Sequence, residues 1–324
     1  MKTMLMQALG SFHDLTLAEA DEPRPGPQQV VIDVGAIGCN FADTLICKGA
    51  YQIKPELPFA PGSEVAGVVR EVGADVRGVH VGERVFATLP YGGYSSAVAV
   101  NANEVYPLAD GMPFADAAGF GIAYLTSYLA LSERARVRPG EWLLIHAAAG
   151  GVGLSALQIG IALGAKVIAS AGGEEKRALC RAHGAHETID YNDEGWPEQV
   201  KKITGGRGAD VIYDPVGGDT FDRSTKCVAF DGRILVIGFA SGRIPEVRLN
   251  RVMLKNIAIV GLHINSYREH APRRLQVAMG ELLSLYDEGK VRPLISAQYP
   301  LTDAAQALAA LSERRTTGKV VLVP

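Results

Sequence analysis

One stretch in the middle of the chain constrains its fold more than any other feature. The apolar run Trp142–Ile145 has the composition of a buried strand. It leads through His146 into a glycine-rich turn, residues 147–153, and then into an apolar helix. Glycines in such a turn let backbone N–H groups approach an anion closely, and the N-terminus of the helix adds partial positive charge. The stretch therefore predicts a binding site for the pyrophosphate of a dinucleotide.

The glycine pattern departs from the G-x-G-x-x-G fingerprint at one position. Ala148 stands in the place of the first glycine, while Gly150 and Gly153 fill the second and third places. Alone, this pattern is weak evidence, because an ordinary strand–turn–helix unit can show it. Its context strengthens it: the helix ends at Gly164, and residues 167–170 form a second apolar run. Together these segments predict a βαβ unit.

The alternation of apolar runs and helix-length segments continues to about residue 262. After a helix over about residues 174–183, four further runs rich in Val and Ile follow, at residues 186–190, 209–214, 233–238 and 257–261. Runs of this kind separated by helices predict a parallel sheet that is covered on both faces. With the first two runs they make six strands, so we expect an α/β, doubly wound Rossmann domain over residues 119–262.

The segments on either side have a different texture. Residues 1–118 contain short alternating runs, such as residues 30–34, 64–69 and 84–87, punctuated by Pro and Gly, which predict small, bent, antiparallel strands. The tail predicts helices over residues 273–288 and 302–314 and a final strand over residues 319–323. We expect the tail to return to the N-terminal part, giving one discontinuous domain of residues 1–118 with 263–324.

The composition indicates an ordinary two-domain globular protein. The chain has 324 residues, of which 48% are hydrophobic and 21% charged, and its net charge of −3 provides no basic surface for nucleic acid or membranes. No apolar run reaches the ~18 residues of a membrane span, and no signal-peptide core follows the N-terminus. Four cysteines without C-x-x-C spacing are expected to be free thiols. We expect a cytoplasmic protein with a small-molecule substrate.

Five segments resemble the quinone oxidoreductase (zeta-crystallin-like) branch of the medium-chain dehydrogenase/reductase superfamily. They are AIGCNFADTLICKGAY (36–51), PFAPGSEVAGVVREVG (58–73), HAAAGGVGLSALQIGIALGAKVIA (146–169), VIYDPVGGD (211–219) and LVIGFASG (235–242). The resemblance covers essentially the full length, in the right order. It implies a GroES-like β-rich catalytic domain, completed by the C-terminal segment, and a Rossmann domain. It also implies a homodimer formed through the last Rossmann strand, residues 257–262.

The same comparison predicts that no metal is bound. Zinc-dependent members of the superfamily place cysteines and a His-Glu pair around a catalytic zinc. Here Asn40 matches the first cysteine and Ser63 matches the histidine, and neither is a plausible zinc ligand. Cys39 is one residue out of place and is expected to pack as a small apolar side chain. The four-cysteine segment of a structural zinc is also missing.

Without zinc, reduction of an isolated ketone lacks the Lewis acid that usually polarises its oxygen. A quinone or enone needs less help, because the developing charge spreads over a conjugated system that a few hydrogen-bond donors stabilise. We therefore predict NADPH-dependent reduction of quinones or other conjugated acceptors by hydride transfer. One alternative is an enoyl-thioester or enone reductase, of the 2-alkenal or acryloyl-CoA type. Another is a non-catalytic crystallin-like or RNA-binding protein.

Four residues are candidates for the catalytic site. By resemblance, Asn40 orients the nicotinamide or the acceptor oxygen, although Asn is also common in turns. Tyr51 matches a tyrosine proton donor of related enoyl reductases, or it packs on the loop at Pro55. Asp43 is a further candidate, with anchoring of its loop as the alternative. Thr126 matches a residue that lines the nicotinamide side of the pocket, with helix packing as the alternative.

The cofactor preference depends on the end of the second strand. An NAD site usually places Asp or Glu there, whereas residues 170–173 are small and neutral, so that a 2′-phosphate fits without repulsion. Glu174 and Glu175 follow and are explained by the helix dipole. The expected cofactor is NADPH. Its expected binding residues are Ala149, Gly150, Gly151, Val152, Gly153, Ser170, Gly172, Lys176, Tyr191, Gly238, Phe239, Ser241 and Arg314, of which Lys176, Tyr191 and Arg314 are assigned by resemblance.

Overall fold

The computed structural model describes residues 1–108 and 110–324. Contacts between Cα atoms divide the chain into two units. Unit 1 comprises Met1–Ile122, Pro272–Leu283 and Pro293–Pro324, and unit 2 comprises Ala123–Ala271 and Ser284–Arg292. The C-terminal part of the chain therefore contributes to both units.

The strands are named in chain order. They are β1 (Lys2–Leu5), β2 (Thr16–Glu19), β3 (Gln29–Cys39), β4 (Glu64–Val72), β5 (Arg84–Thr88), β6 (Ala97–Asn101), β7 (Val105–Pro107), β8 (Trp142–Ile145), β9 (Lys166–Ser170), β10 (Glu187–Ile189), β11 (Ala209–Asp214), β12 (Val228–Val236), β13 (Ala258–Gly261), β14 (Ile295–Pro300) and β15 (Lys319–Val323).

The α-helices are named in the same way. They are α1 (Phe41–Cys47), α2 (Phe114–Tyr128), α3 (Gly151–Ala162), α4 (Glu174–Ala182), α5 (Trp196–Ile203), α6 (Gly218–Cys227), α7 (Leu249–Lys255), α8 (Ile264–His270), α9 (Pro272–Asp287) and α10 (Ala304–Ser312). A π-helical segment, Leu129–Arg134, continues α2.

Strand β3 organises unit 1. It pairs antiparallel with β4, β6 and β15, within a sheet whose order is β14-β15-β3-β4-β5-β7. Val30, Val31 and Ile32 are 0% exposed, so this strand is covered on both faces. The antiparallel strands predicted for the N-terminal part are confirmed, and the run predicted over residues 30–34 extends to Cys39. In the β15–β3 pair, Val320 lies opposite Cys39, which brings the start of the last strand beside Asn40.

Helix α2 begins very close to this sheet because Gly38 has no side chain. A Cβ atom on Gly38 would lie 2.0 Å from the carbonyl oxygen of Ala118 and 2.4 Å from Oε1 of Glu64. A Cβ atom on Gly121, one turn further along the helix, would lie 3.1 Å from Oε2 of Glu64. The two glycines therefore make room for a buried carboxylate between strand and helix.

Unit 2 contains the predicted six-stranded parallel sheet. Its order is β10-β9-β8-β11-β12-β13, and every neighbouring pair is parallel. Leu143, Leu144 and Ile145 of β8 are 0% exposed, as a continuous apolar run in a central strand requires. This order is that of a doubly wound Rossmann sheet, with its switch point beside β8. The expected fold class, a GroES-like β-rich domain with a Rossmann sheet, is thus confirmed.

Several predicted boundaries were wrong by a few residues. β12 begins at Val228 and ends at Val236, whereas the apolar run predicted residues 233–238. The first half of β12 is irregular, because the β11–β12 register shifts and Asp231 has a φ of 61°. The helix predicted over residues 302–314 is a 3₁₀ turn, Leu301–Asp303, followed by the shorter α10. β10 is shorter than the predicted residues 186–190.

One helix among the described residues, Phe114–Arg134, is long and apolar enough to cross a membrane by length and composition. It has 21 residues, and 72% of its apolar window is buried inside the protein. A mostly buried core helix passes the same test, so this helix is weak evidence for a membrane span. The sequence expectation of no span did not foresee this candidate, because a few polar residues interrupt its apolar positions.

Candidate functional site

The turn between β8 and α3 has the geometry of an anion-binding loop. The Ala148 N–H donates to the carbonyl of Ser170 at 3.0 Å, and the Gly150 N–H donates to that of Ala147 at 3.0 Å. Helix α3 begins at Gly151, so the N–H groups of its first turn are the ones that a helix leaves without an intrahelical partner. Ala149 and Gly150 lie in this turn, and Gly151 and Val152 in the first turn of α3, while their contact with a cofactor stays a prediction.

The third glycine of the fingerprint is required by close backbone contact. A Cβ atom on Gly153 would lie 2.2 Å from the carbonyl oxygen of Ala147. Ala148, in contrast, tolerates its methyl group: it is 0% exposed, and the left-handed conformation falls on Ala147, with a φ of 50°. The departure from the fingerprint at position 148 therefore costs the turn nothing sterically.

A buried hydroxyl network fixes α3 within unit 2. Ser127 Oγ lies 2.8 Å from Ser155 Oγ and 2.9 Å from the hydroxyl of Tyr213, and it donates to the carbonyl of Val152 at 3.1 Å. The sequence reasoning singled out the neighbouring Thr126 and missed Ser127. Thr126 is partly exposed. Because successive helical residues point about 100° apart, it lies away from this network.

The end of β9 is small and neutral, as the sequence indicated. Ser170 is 0% exposed, and its hydroxyl has no hydrogen-bond partner among the described residues. A Cβ atom on Gly172 would lie 2.6 Å from Tyr191, so the tyrosine ring covers this glycine. Tyr191 itself is 39% exposed. Lys176 lies in the first turn of α4, which follows directly.

The acidic residues next to this strand end are paired with arginines. Glu174 accepts hydrogen bonds from Arg181 and, at 2.9 Å, from Arg177. The Arg181 and Arg177 guanidinium groups hold the pKa of Glu174 below its usual value. Arg177 also contacts Asp190. Glu174 and Asp190 are therefore matched by two arginines, while the exposed Glu175 lies beside Lys176 in the first turn of α4.

The loop after β12 packs on the turn that precedes α6. The Ala240 and Ser241 N–H groups donate to the carbonyls of Pro215 and Val216 at 3.1 and 2.9 Å. A Cβ atom on Gly217 would lie 2.8 Å from the ring of Phe239, and one on Gly218 would lie 2.6 Å from Ser241 Oγ. This close packing positions Gly238, Phe239 and Ser241 at the carboxyl edge of the sheet.

His146, which follows β8, has a structural environment. It is 1% exposed, its Nε2 lies 2.8 Å from Ser224 Oγ, and its ring packs edge-on against Trp196. Burial lowers the pKa of His146 to about 3, so the ring is neutral at physiological pH. This environment supports the interpretation of His146 as structural.

The catalytic candidates Asn40 and Asp43 lie at the start of α1 in unit 1. The Asn40 N–H donates to Asp43 Oδ2 at 2.8 Å, and the hydroxyl of Tyr94 donates to the same oxygen at 3.1 Å. Asp43 is 0% exposed, and burial raises its pKa to about 7. The geometry favours the alternative that Asp43 anchors its loop, since its carboxylate is out of reach of any bound molecule.

Two residues that the sequence reasoning missed contact Asn40 directly. Lys319 Nζ donates to Asn40 Oδ1 at 2.7 Å, and Asn40 Nδ2 donates to Glu64 Oε1 at 2.9 Å. Lys319 and Glu64 also form an ion pair of 2.7 Å. In the sequence, Glu64 only begins the apolar run of residues 64–69, and Lys319 only begins the predicted last strand. One signal in the sequence indicated that Glu64 and Lys319 have a special role: each is a charged residue at a position that the strand pattern predicts to be buried.

The remaining candidates of unit 1 are less well defined. Tyr51 is partly buried and packs against the apolar core of unit 1. This contact shows Tyr51 in a packing role against the core, which is a different contact from the predicted one on Pro55, and its role as a proton donor stays a prediction. Arg314 follows α10 with a φ of 58° and is exposed. Cys39 is 1% exposed and packs as a small apolar side chain, as expected, and burial raises the pKa of its thiol to about 12.

The described residues contain no group of three or more His, Cys, Asp or Glu side chains that could hold a metal ion. At the two positions that match zinc ligands, Asn40 Nδ2 lies 3.5 Å from Ser63 Oγ.

The residues of unit 2 fit a dinucleotide. The turn before α3, which we call the cradle, presents the N-terminus of the helix, and Gly153 lets that helix pack directly on the Ala147 carbonyl. At the ends of the adjacent strands, Ser170 Oγ and Asp214 Oδ2 are buried polar atoms without a partner among the described residues. A helix N-terminus behind a glycine turn, and unpaired polar atoms at the carboxyl edge of a doubly wound sheet, are groups that a bound dinucleotide and its waters would satisfy.

Comparison with known proteins agrees with this geometry. The family model described as "Alcohol dehydrogenase GroES-like domain" matches residues 26–113, and the one described as "Zinc-binding dehydrogenase" matches residues 151–279. The chain is 39% identical to a quinone oxidoreductase of Pseudomonas aeruginosa over 100% of its own length and 99% of the relative's.

Solved structures with the same fold are similar along their whole length. The crystal structure of Escherichia coli quinone oxidoreductase complexed with NADPH has a TM-score of 0.94 and 34% identity, with 100% of both chains covered. The CurK enoyl reductase has a TM-score of 0.91 and 26% identity, with 99% of this chain and 98% of that one covered.

A GroES-like β-domain together with a Rossmann sheet defines a medium-chain oxidoreductase, and the coverage of both chains shows that the likeness is not confined to one domain. Within that class, the chain belongs to the zinc-free quinone oxidoreductase branch of the medium-chain dehydrogenase/reductase superfamily.

Proposed function

We propose that this oxidoreductase binds NADPH and reduces quinones or related conjugated acceptors without a metal ion. The observation that carries the proposal is the cradle before α3 combined with a neutral end of β9. In support, the E. coli relative of known structure is described as a quinone oxidoreductase complexed with NADPH.

The preference for NADPH over NADH follows from charge. A 2′-phosphate at the end of β9 meets no carboxylate at Ser170 or Gly172, Glu174 is already paired with Arg177 and Arg181, and Glu175 is an exposed first-turn residue of α4. Lys176 then supplies the positive charge that a 2′-phosphate needs. The ring of Tyr191 lies beside Gly172, where it can stack on the bound cofactor. Gly238, Phe239 and Ser241 are proposed to contact the cofactor from the loop after β12, and Arg314 to contribute a further positive charge.

In this reaction NADPH supplies a hydride, and the chain supplies position and polarity. The first turn of α3 binds the pyrophosphate through its N–H groups and its dipole. Asn40 donates a hydrogen bond that stabilises negative charge on the acceptor oxygen, which is the role that a Lewis acid fills in zinc enzymes. Tyr51 is proposed as the proton donor and Thr126 as a residue of the nicotinamide pocket. Asp43 holds Asn40 in place.

Steady-state kinetics test this function. Oxidation of NADPH is followed with a panel of naphthoquinones and with crotonyl-CoA, and we expect turnover with the quinones. Lys176→Met is expected to weaken NADPH binding about tenfold or more through loss of a phosphate contact, with little change for NADH. Gly280→Ala, at an exposed helical position far along the chain from the cradle, is the control. Equal losses for both nucleotides, or no turnover with any quinone, would contradict the proposal.

An enoyl-thioester or enone reductase is the second candidate, supported by the likeness to CurK enoyl reductase. The same N–H donor at Asn40 suits an enolate oxygen as well as a phenolate. Faster turnover of crotonyl-CoA than of naphthoquinones would favour this candidate. A non-catalytic crystallin-like or RNA-binding role would be favoured only if NADPH failed to bind in a fluorescence titration. We propose a small-molecule substrate, a homodimer and a cytoplasmic location.

A further inference from the structure

A buried ammonium group contacts the side chain of Asn40 in unit 1. Lys319 Nζ donates to Asn40 Oδ1 at 2.7 Å, to Glu64 Oε1 at 2.7 Å and to the carbonyl of Cys39 at 3.0 Å. The side chains of Lys319 and Glu64 are 4% and 1% exposed. An ammonium has three hydrogens, so each one has an acceptor in this arrangement.

The Glu64 carboxylate is equally well satisfied. Its Oε1 accepts from Lys319 and from Asn40 Nδ2, and its Oε2 accepts from the Ile122 N–H at 2.7 Å. The carboxylate is therefore held by an asparagine amide, a helix N–H and a lysine at once. A buried ion pair with such complete hydrogen bonding has one arrangement rather than many.

From these contacts we infer that the Lys319–Glu64 pair fixes the orientation of the Asn40 amide and so makes this residue a hydrogen-bond donor. If the amide were turned over, its NH₂ would face the ammonium of Lys319 and its oxygen would face the Glu64 carboxylate. Both contacts would then be repulsive, donor against donor and acceptor against acceptor. Only the observed orientation satisfies both charged neighbours.

The orientation determines what Asn40 offers to a bound molecule. One hydrogen of Nδ2 is bonded to Glu64, and the other has only the 3.5 Å contact with Ser63 Oγ, at the limit of a hydrogen bond. Asn40 is partly exposed, so this N–H is available to a carbonyl oxygen of a quinone, enone or thioester. Lys319 is buried and acts only through Asn40, as a positioning residue, so this role depends on the function proposed above.

A double-mutant cycle tests the coupling between the two residues. Lys319→Met, Asn40→Ala and the double variant are compared in kcat and KM at saturating NADPH with a reactive quinone. Each single variant is expected to lower kcat about tenfold or more, since a misplaced donor no longer stabilises the developing charge. The double variant is expected to be no worse than Asn40→Ala. Effects that multiply would show that Lys319 acts independently of Asn40, and would overturn the inference.

A matched control separates positioning from stability. Arg233 and Glu141 form a second ion pair in unit 2, at 2.8 Å, with both side chains 18% exposed. Arg233→Met is expected to lower the unfolding temperature while leaving kcat unchanged. If Lys319→Met does not fold, Glu64→Gln replaces it in the cycle, because a Gln amide cannot accept all three hydrogen bonds that Glu64 accepts now.

A readout without turnover keeps the inference distinct from the proposed function. The NH₂ resonances of Asn40 in ¹⁵N-labelled protein are assigned by their loss in Asn40→Ala. In Lys319→Met we expect these resonances to shift and exchange faster, because the amide is released. Unchanged resonances would contradict the inference even if the enzyme reduces quinones. If wild-type protein reduces neither quinones nor enones, the proposed function fails, while the resonances still report the orientation.

Discussion

At the scale of single residues, two buried titratable groups oppose each other in their effect on stability. Burial raises the pKa of Asp43 from 3.8 to about 7 and lowers that of His146 from 6.5 to about 3. The folded state therefore holds a proton on Asp43 that the unfolded chain has lost between these pKa values. It also lacks a proton on His146 that the unfolded chain binds. Asp43 makes stability fall as pH rises from about 4 to about 7, and His146 makes it rise over nearly the same range.

Replacing Asp43 should reveal the contribution of His146 to the pH dependence of stability. Wild-type protein loses the stabilisation contributed by protonated Asp43 as pH rises from 3.8 through about 7. Asp43→Asn has no such group and does not show this loss. Relative to wild type, the free energy of unfolding of Asp43→Asn should increase with pH by ~1 kcal/mol per pH unit in this range. Urea unfolding at a series of pH values measures this difference. Asp33→Asn, at an exposed position, is the control, and a constant difference between variant and wild type would contradict the prediction.

Residue type alone identified only part of the site. Asn40 and Asp43 stood out because of their place in a motif, and the structure brings them together at the start of α1. Glu64 and Lys319 did not stand out, because their importance depends on partners 24 and 279 residues away from them in the sequence. Ser127 was passed over for the same reason, since its partner Tyr213 lies 86 residues further along the chain.

At the scale of the elements, the contact between β3 and α2 depends on the absence of a side chain. A methyl group on Gly38 would overlap both the Ala118 carbonyl and the Glu64 carboxylate, which are backbone and a buried ionic group. The Glu64 carboxylate cannot move without breaking its ion pair with Lys319, and the Ala118 carbonyl belongs to the backbone of α2. Overpacking at such a place is not relieved by a change of rotamer.

Gly38→Ala is therefore expected to destabilise the protein by about 1–3 kcal/mol or more, the usual cost of overpacking a core. Chemical unfolding measures the change. Gly280→Ala is the matched control, because it adds the same methyl group to an exposed helical position where nothing lies within 4 Å, and it should stabilise the protein by about 0.5–1 kcal/mol. Equal effects of the two substitutions would show that the β3–α2 contact is looser than described.

Strong apolar patterns in the sequence predicted their strands correctly. Weaker patterns predicted strands whose first and last residues were wrong. Strands such as β8 and β9 were located closely, since their central residues are apolar and buried. The start of β12 was missed because Phe230 and Asp231 are exposed and interrupt the apolar run. The pairing that forms there depends on the neighbouring strand β11, which local sequence does not reveal.

At the scale of the whole molecule, β13 leaves an edge in the sheet of unit 2. It pairs with β12 on one side, and no strand of the described chain pairs with its other side. Ile259 on this strand is 36% exposed. An exposed apolar edge strand is a place where a second copy can extend the sheet, in accord with the proposed homodimer.

Ile259→Lys should convert a dimer to a monomer, because a charged side chain on an edge strand opposes pairing. Sedimentation velocity measures the change. Val277→Lys, which adds the same charge at a 56% exposed position of α9, should leave the assembly intact. NADPH affinity should be retained in both variants, since β11 and β12 separate β13 from the strand that carries the cradle. A wild-type monomer would contradict the homodimer proposal, and an Ile259→Lys dimer would show that the copies do not pair through β13.

The sequence by itself determined the order of strands and helices, the glycine turn before α3 and the family, because these depend on the periodicity of apolar residues and on short-range backbone requirements. Only the tertiary structure decided which polar side chains meet. The register of β15 against β3 places Lys319 beside Asn40 and Glu64. Such contacts depend on distances of a few ångströms between remote segments, and local sequence patterns carry no information about these distances until the sheet has formed.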